Sequence, residues 1–298
     1  TILSAIEKQG KLTKELRRTI EKAASRTELE DLYQPYKRKR STRAGKARQK
    51  GLQGLADLIL EQGEGGSSPE KLAEPFLAEV EDASEALAGA RDIAAEAIAD
   101  SAGVRSSVRK KASKWGLLKT KRSRGAEDPK AVFSDYEDLQ LRVDHLRPHQ
   151  VLALNRGEKL GVLKVDVDVA ERDWRDAVDR AFPTRRGSAL AAELEQAKAD
   201  SASRLLLPAI ERDIRRARTE EAEAHAISVF ARNLRALLLT RPLLNHTILG
   251  IDPGYRTGCK FAVIDPTGKV LDTGTIYPHQ PQNRRAEALQ DLSTQVQR

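Results

Sequence analysis

This chain has few of the residues that mark special classes of protein. Cysteine occurs once among 298 residues, at position 259, which excludes a disulfide framework and predicts a cytoplasmic location. Because Cys259 lies in an apolar run with no histidine near it in sequence, we interpret it as a buried small hydrophobic residue. Methionine is absent and the chain begins at Thr1, so we expect the natural start to precede this residue.

Long apolar runs and cofactor motifs are also missing. No run approaches the roughly 20 apolar residues that cross a bilayer, so no membrane association is predicted. The sequence has no phosphate-binding Gly-Lys-Ser/Thr loop, zinc-finger spacing or nucleophile elbow, and no resident cofactor is predicted. Aromatic residues make up only 4% of the chain, which leaves few platforms for base stacking. For Tyr33 and Tyr36, beside Pro35, we favour packing of a turn over stacking on a base.

Positive charge is in excess, with a formal net charge of +8, and it is concentrated in two stretches without an acidic residue. The first basic block consists of Lys37, Arg38, Lys39, Arg40, Arg43, Lys46, Arg48 and Lys50. The second basic block consists of Arg105, Arg109, Lys110, Lys111, Lys114, Lys119, Lys121, Arg122 and Arg124. Such blocks are either solvated loops or sites that neutralise a polyanion such as a phosphate backbone.

Hydrophobic periodicity predicts a helical body up to about residue 245. From Pro208 to Thr240, apolar residues recur at three- and four-residue steps, which predicts one long helix. An earlier apolar stripe, ended by Gly116, has the second basic block on its other faces and predicts a helix docked on a core with its cations outward. The stripe consists of Val104, Val108, Ala112 and Trp115.

One strand interrupts the predicted helical body. Between Gly161 and Val169, apolar residues alternate with Lys164, Asp166 and Asp168, and this period of two is typical of a strand. Both aspartates would lie on the same face. Alternating acids are common on the solvated side of an edge strand, so we assign them no chemistry.

A second sheet is predicted near the end of the chain. Three apolar runs with turn residues between them predict strands over Ile248 to Ile251, Cys259 to Ile264 and Val270 to Ile276. Asp252 ends the first strand, where a carboxylate on rigid backbone suits metal-assisted phosphodiester chemistry. The alternative is that Asp252, Pro253 and Gly254 form a turn with no catalytic role, and one acid cannot hold two metal ions.

Several segments, in order and covering nearly the whole chain, resemble the Tex family of bacterial transcription accessory proteins. They are LEDLYQPYKRKRSTRAGKARQKGLQGLADLI (29–59), ALAGARDIAAEAIAD (86–100), FSDYEDLQLRV (133–143), HQVLALNRGEKLGVLKVDV (149–167), and ISVFARNLRALLL through ILGIDPGYRTGCKFAVID. The resemblance implies a helical region, a YqgF-like domain of the RNase H and resolvase type, a helix-hairpin-helix region and a C-terminal OB-type RNA-binding domain. We therefore expect the closing half of the YqgF-like domain and the last two modules to be absent from this sequence.

The predicted fold is therefore mostly α. Residues 1–245 form a multi-helix, helix-turn-helix-like region with one short strand segment. Residues 246–298 form the first strands of a truncated RNase H-like α/β domain. The resemblance implies that this domain usually lacks the full acidic set of active resolvases, so Asp252 is interpreted as a retained first acid.

The predicted function is a nucleic-acid-binding scaffold in transcription or RNA metabolism, without catalytic activity of its own. RNA or DNA would bind largely without sequence preference, and the transcription or translation machinery supplies candidate protein partners. In a chain that resembles this family, we favour phosphate contact over solvated loops. The predicted contacts are Lys37, Arg38, Lys39, Arg40, Arg43, Lys46, Arg48, Arg109, Lys110, Lys111, Lys114, Lys119, Lys121 and Arg122.

Two enzyme classes are the alternatives. A metal-dependent nuclease or resolvase would use Asp252 as one ligand for Mg²⁺ and would need further acids on a later strand and helix. An actin-like ATPase or sugar kinase also begins with an apolar strand ending in Asp-x-Gly, but it needs a second phosphate-binding motif. The helical region that precedes the strands argues against the kinase.

Overall fold

The structure is a computed structural model that describes residues 2–23, 26–37, 41–63, 67–241 and 243–297, with only the backbone described at Arg26 and Thr27. Residues 1–228 and 229–298 form two compact units, and the division falls inside a long helix. In these ranges, no helix combines the length and apolar character that a membrane span requires.

Helices build most of the first unit. Their bounds are α1 Ile2–Glu7, α2 Lys14–Glu21, α3 Arg26–Tyr33, α4 Arg43–Gln49, α5 Gln53–Glu61, α6 Pro69–Ala73, α7 Ala83–Asp100, α8 Ala102–Trp115, α9 Pro148–Lys159, α10 Glu171–Ala181 and α11 Ala191–Asp200. Short polar side chains begin several of them by accepting from free amides of the first turn. Thr42 Oγ1 accepts from the Gly45 amide at 2.9 Å, and Asp82 Oδ1 accepts from the Glu85 amide at 2.8 Å.

Helix α7 is the centre of the first unit. It packs against α4, α5, α6, α8 and α11. Its sequence is rich in alanine, and Ala90, Ala94 and Ile98 are completely buried. Small side chains let neighbouring helices come close, and at Gly89 an added Cβ would collide with the Leu52 side chain. The closeness of this packing therefore follows from residue size as well as from hydrophobicity.

A three-stranded antiparallel sheet completes the first unit. Strand β1 (Leu117–Arg122) lies between β2 (Gln140–Arg142) and β3 (Leu163–Asp168). The strand predicted over 161–169 is thus present as β3, with Asp166 and Asp168 exposed as expected. The expectation of one strand segment is corrected, because two further strands, β1 and β2, belong to the same sheet. The sequence obscured β1 because one of its two inward residues is polar Thr120, whose hydroxyl accepts from the Leu139 amide at 2.9 Å.

The long helix predicted from Pro208 to Thr240 is present as α12 (Leu207–Leu238). It continues from α11 through a π-helical turn, Ser201–Leu206, in which the Leu207 amide donates to the Ala202 carbonyl. Pro208 lacks an amide hydrogen and cannot donate the hydrogen bond to residue i−4 that a regular α-helix makes. The wider π-helical turn before it accommodates the missing bond. The first half of α12 buries Ile210 and Ile214. In its second half, Ile227, Phe230, Leu234 and Leu237 are exposed to solvent.

The second unit contains the three strands predicted near the end of the chain. They are β4 (Ile248–Asp252), β5 (Cys259–Ile264) and β6 (Val270–Ile276), and helix α13 (Arg285–Gln297) follows. The strands pair antiparallel in chain order, and among the described residues β4 pairs with β5 alone. A small core is formed by Cys259, Phe261, Ile276 and Ala288.

The expected fold class is confirmed, since helices dominate the described residues and strands are few. Cys259 is a buried free cysteine, as interpreted from sequence. The helix-turn-helix-like character and the domain division at residues 245 and 246 stay predictions. Asn245 lies between α12 and β4 and has a left-handed backbone, with φ of 59°.

A matched pair of isoleucines tests where the core lies. Ile98 in α7 is 0% exposed, whereas Ile227 in α12 is 68% exposed. We expect Ile98→Ala to lower the free energy of unfolding by about 2–5 kcal/mol, because it leaves a cavity in the packed centre. Ile227→Ala should change it by less than about 0.5 kcal/mol. Urea denaturation of both variants measures the difference, and equal effects would contradict the burial of α7.

Candidate nucleic-acid interface

The structure separates the first basic block into exposed and paired cations. Lys37 and Lys46 are exposed, and neither is hydrogen-bonded or ion-paired through its side chain to another described residue. Arg48 instead donates to Glu96 Oε1 at 2.7 Å and to Gln53 Oε1 at 3.0 Å. The predicted contacts Arg38, Lys39 and Arg40 lie outside the described residues.

Two further cations of the first basic block interact with nearby acidic side chains. Lys50 donates to Glu85 Oε1 at 2.6 Å. The exposed Arg43 begins α4, where its charge acts on Asp200. The Arg204 hydrogen bond is the main cause that lowers the pKa of Asp200, and the positive charges of Arg204 and Arg43 add to it. Arg43 and Lys50 are therefore partly neutralised within the fold.

Lys37 and Lys46 line a cleft of about 970 Å³. Lys11, Ser41, Thr42 and Ser101 are also in its wall, together with the paired Arg48 and Glu96 and with Asp100. Helices α4 and α8 both begin at this cleft, and the first turn of a helix carries partial positive charge. The cleft thus combines exposed ammonium groups with hydroxyl and backbone donors, which are groups that contact phosphate oxygens.

Arg109, a predicted phosphate contact, belongs instead to an internal ion cluster. Asp31 in α3 accepts from Arg105 Nε at 2.7 Å and from the two terminal nitrogens of Arg109 at 2.6 and 2.8 Å. Asp213 in α12 accepts from the same arginines at 3.0 and 2.9 Å. We refer to these four residues as the Asp31 cluster. It links α3, α8 and α12 through two carboxylates and two guanidinium groups.

Burial and the neighbouring charges have opposite effects on the pKa of Arg109 in the Asp31 cluster. Burial alone would lower the pKa of Arg109, but hydrogen bonds and charges from Asp31 and Asp213 raise it above its usual value. Arg109 therefore stays charged and neutralised. It is held in place by the fold and is not free to contact a phosphate.

Other cations of the second basic block are also paired. Lys111 donates to Asp176 at 2.7 Å, Lys119 to Asp168 at 2.6 Å, and Arg122 to Glu137 at 3.0 Å. By contrast, the side chains of the exposed Lys110, Lys121 and Arg124 have no ion pair with any residue that the structure describes. Half-exposed ion pairs contribute little stability and can exchange partners, so Lys119 and Arg122 stay accessible to an anion.

The apolar stripe predicted that Trp115 is buried, and this prediction is wrong. Val104, Val108 and Ala112 are buried as expected, but Trp115 is 53% exposed. It is the last residue of α8, and its ring lies against charged groups rather than the core: Arg142 Cζ is 4.5 Å and Lys114 Nζ 4.9 Å from the ring centroid. The available signal was its position inside a basic block at a helix end. Tyr33 and Tyr36 are half-buried around a 3-10 turn.

Asp252 is exposed at the end of β4, directly opposite Lys260 in β5. The chain then turns tightly, and a Cβ added at Gly254 would collide with the Gly258 carbonyl. In the described part of the chain, no three His, Cys, Asp or Glu side chains come close enough together to hold a metal ion. The catalytic role of Asp252 stays a prediction.

Comparison with known proteins assigns the family. Residues 65–230 match the model of the Tex central region, and residues 246–298 match the model of the Tex protein YqgF-like domain. The chain belongs to the Tex family. This Tex-family chain is similar to Protein tex of Bordetella pertussis, with 42% identity over 308 residues, 98% of this chain and 39% of the relative.

Two other relatives extend the comparison. The Transcriptional accessory protein Tex of Neisseria gonorrhoeae is 39% identical over 296 residues, which are 96% of this chain and 38% of the relative. The S1 RNA-binding domain-containing protein 1 of Homo sapiens is 32% identical over 310 residues, 97% of this chain and 30% of the relative. The Tex-family chain thus spans less than half the length of these relatives.

Removing one acid from the Asp31 cluster tests its structural role. Asp31 is 4% exposed. We expect Asp31→Asn to lower the free energy of unfolding by about 3–5 kcal/mol, because two largely buried guanidinium groups lose one of their two counter-charges. The control is Glu7→Gln in the exposed pair with Arg17, at 3.5 Å, which should cost less than about 1 kcal/mol. Thermal or urea unfolding gives both values, and an equal effect would place the cluster among ordinary surface pairs.

Proposed function

We propose that this Tex-family chain is a nucleic-acid-binding scaffold that acts in transcription or RNA metabolism and has no cleavage activity of its own. Relatives named transcriptional accessory protein and S1 RNA-binding domain-containing protein support a role associated with nucleic acid. The observation that carries the proposal is the set of cations that the fold leaves exposed without an internal partner among the described residues. In the two basic blocks these are Lys37, Lys46, Lys110, Lys121 and Arg124.

Exposed unpaired cations repel one another and are stabilised when a polyanion neutralises them. Binding of a phosphate backbone also releases its condensed counterions, which favours association at low salt. The fold neutralises Arg109 and Lys111 internally, so these are not included in the proposed contact set. Lys114, Lys119 and Arg122 remain secondary candidates, since their present interactions lie at the surface and can exchange for a phosphate.

The spacing of the exposed cations suits an extended strand. Helix α8 has 14 residues, which corresponds to about 20 Å. The cleft with Lys37 and Lys46 lies at the start of this helix, and Lys110 and Lys114 lie in its last two turns. One duplex strand carries a phosphate about every 3.4 Å, so a bound backbone could engage both ends of α8. Phosphate contacts carry no sequence information, which supports binding without sequence preference.

Organisation, partners and location form part of the same proposal. Residues 1–245 would be the helical region, and 246–298 the N-terminal part of a YqgF-like domain, in line with the matched model that begins at 246. RNA or DNA is the proposed ligand, and proteins of the transcription or translation machinery are proposed partners. The proposed location is the cytoplasm.

Salt dependence tests the proposed phosphate-binding residues. We expect the chain carrying Lys37→Gln, Lys46→Gln, Lys110→Gln and Lys121→Gln to bind a single strand more weakly than wild type. The slope of log Kd against log salt should fall by up to about 0.7 for each ammonium–phosphate interaction removed, because fewer counterions are released. Fluorescence anisotropy with a labelled oligonucleotide at several salt concentrations measures the slope.

The control removes two positive charges elsewhere on the surface. Arg185 and Arg186 are exposed in the segment after α10 and lie outside both basic blocks. Arg185→Gln with Arg186→Gln should therefore leave the slope nearly unchanged. If the four lysine changes also leave it unchanged, the basic blocks are solvated surface and the proposed phosphate-binding residues are wrong.

The nuclease alternative is tested at Asp252. We expect Asp252→Asn to leave nucleic-acid affinity unchanged, and we expect no Mg²⁺- or Mn²⁺-dependent cleavage before or after the substitution, because a lone exposed carboxylate cannot clamp two metal ions. Gel assays with labelled single-stranded, duplex and branched DNA measure both properties. Metal-dependent cleavage that disappears in the Asp252→Asn protein would establish the nuclease.

A further inference from the structure

The first sheet presents one solvated face whose residues can be identified from register. Leu118 and Thr120 of β1 point into the core, so Leu117, Lys119 and Lys121 lie on the opposite face. Arg142 of β2 is directly opposite Leu117 and shares that face. The exposed face of this sheet is therefore rich in cations, although Asp166 and Asp168 of β3 also lie on it.

Trp115 lies at the edge of this face, two residues before Leu117. The Arg142 guanidinium lies 4.5 Å from the ring centroid and is itself held by bonds to the Lys114 carbonyl at 3.1 Å and to Asp144 at 2.6 Å. The indole is thus positioned by a fixed group while about half of its surface is open to solvent. An exposed aromatic ring beside cationic groups can stack on a nucleic-acid base.

We propose that Trp115 is a stacking platform for an unpaired base of single-stranded nucleic acid. Arg142 fixes the ring as a positioning residue, and Lys114 contacts a phosphate that flanks the base. Lys121, about 13 Å beyond Leu117 along β1, contacts a phosphate further along the nucleic-acid strand. This inference rests on the proposed function and adds the ligand form to it. A base in a duplex already stacks on its neighbours, whereas an unpaired base offers a free face to an aromatic side chain.

The charges around the ring favour a base over an apolar protein surface. The cations of Lys114 and Arg142 lie over the ring, and Leu117 is the one exposed-face residue of β1 that is apolar. The acids on the same face are occupied: Asp168 accepts from Lys119 at 2.6 Å, and Asp166 lies 3.8 Å from Lys164. Because these pairs lower the local positive potential, affinity here would depend on stacking more than on charge alone.

Tryptophan fluorescence gives a direct readout. The chain has two tryptophans, and Trp174 is 9% exposed, so the Trp174→Phe protein reports on Trp115 alone. We expect a short polyuridine strand to quench this fluorescence, because the indole stacks on a base. Trp115→Ala should weaken polyuridine binding by about 5- to 100-fold, whereas Trp115→Phe should retain most of the affinity. Binding to a blunt RNA duplex should be the same in all three proteins.

The outcomes separate this inference from the function on which it rests. If polyuridine binds with a steep salt dependence but neither quenches Trp115 nor distinguishes Trp115→Ala, the stacking platform is wrong and the scaffold function stands. If no strand binds, both are wrong. Self-association of the chain that Trp115→Ala abolishes would instead assign the ring to a protein contact. Should the Trp174→Phe protein fail to fold, the difference between the wild-type and Trp115→Phe spectra isolates the same signal.

Discussion

Internal neutralisation of charge by the Asp31 cluster is the constraint on which the rest of the surface depends. Asp31 and Asp213 neutralise the two largely buried arginines of α8, and they fix that helix between α3 and α12. A buried ion pair adds little net stability over an apolar contact, but it is expensive to disrupt. The cluster therefore fixes the orientation of α8, and with it the direction in which Lys110 and Lys114 point.

The sequence shows which residues are charged, but it does not show which of these charges are paired within the fold. Arg109 and Asp31 are 78 positions apart, and Lys111 and Asp176 are 65 apart. Only the fold brings such partners together, so a run of cations overstates the charge available to a ligand. Local signals were sufficient in the second sheet. Each strand of that sheet coincides with a short apolar run bounded by turn residues, and Asp265 accepts from the Thr267 and Lys269 amides to form the turn between β5 and β6.

The exposure of Trp115 escaped prediction for a related reason. Helical spacing placed Trp115 on the buried stripe, but α8 ends at this residue, and the Gly116 amide closes the helix by donating to the Ala112 carbonyl at 2.8 Å. The chain then enters β1 directly, so the core that covers Val108 does not extend to the ring. Periodicity describes residues within an element. It does not describe the last turn, where the next element determines what the side chain meets.

The two kinds of contact proposed for this chain differ in their physical response, and α8 connects them. Ammonium contacts at Lys37 and Lys46 weaken as salt rises, because counterion release becomes less favourable. Stacking on Trp115 depends on ring overlap and on an unpaired base, and salt affects it far less. A rigid helix with the cleft at its start and the ring at its end would hold these contacts at a fixed separation. Such a scaffold would bind any nucleic-acid backbone at low salt. At higher salt it would still bind single strands that offer an unstacked base.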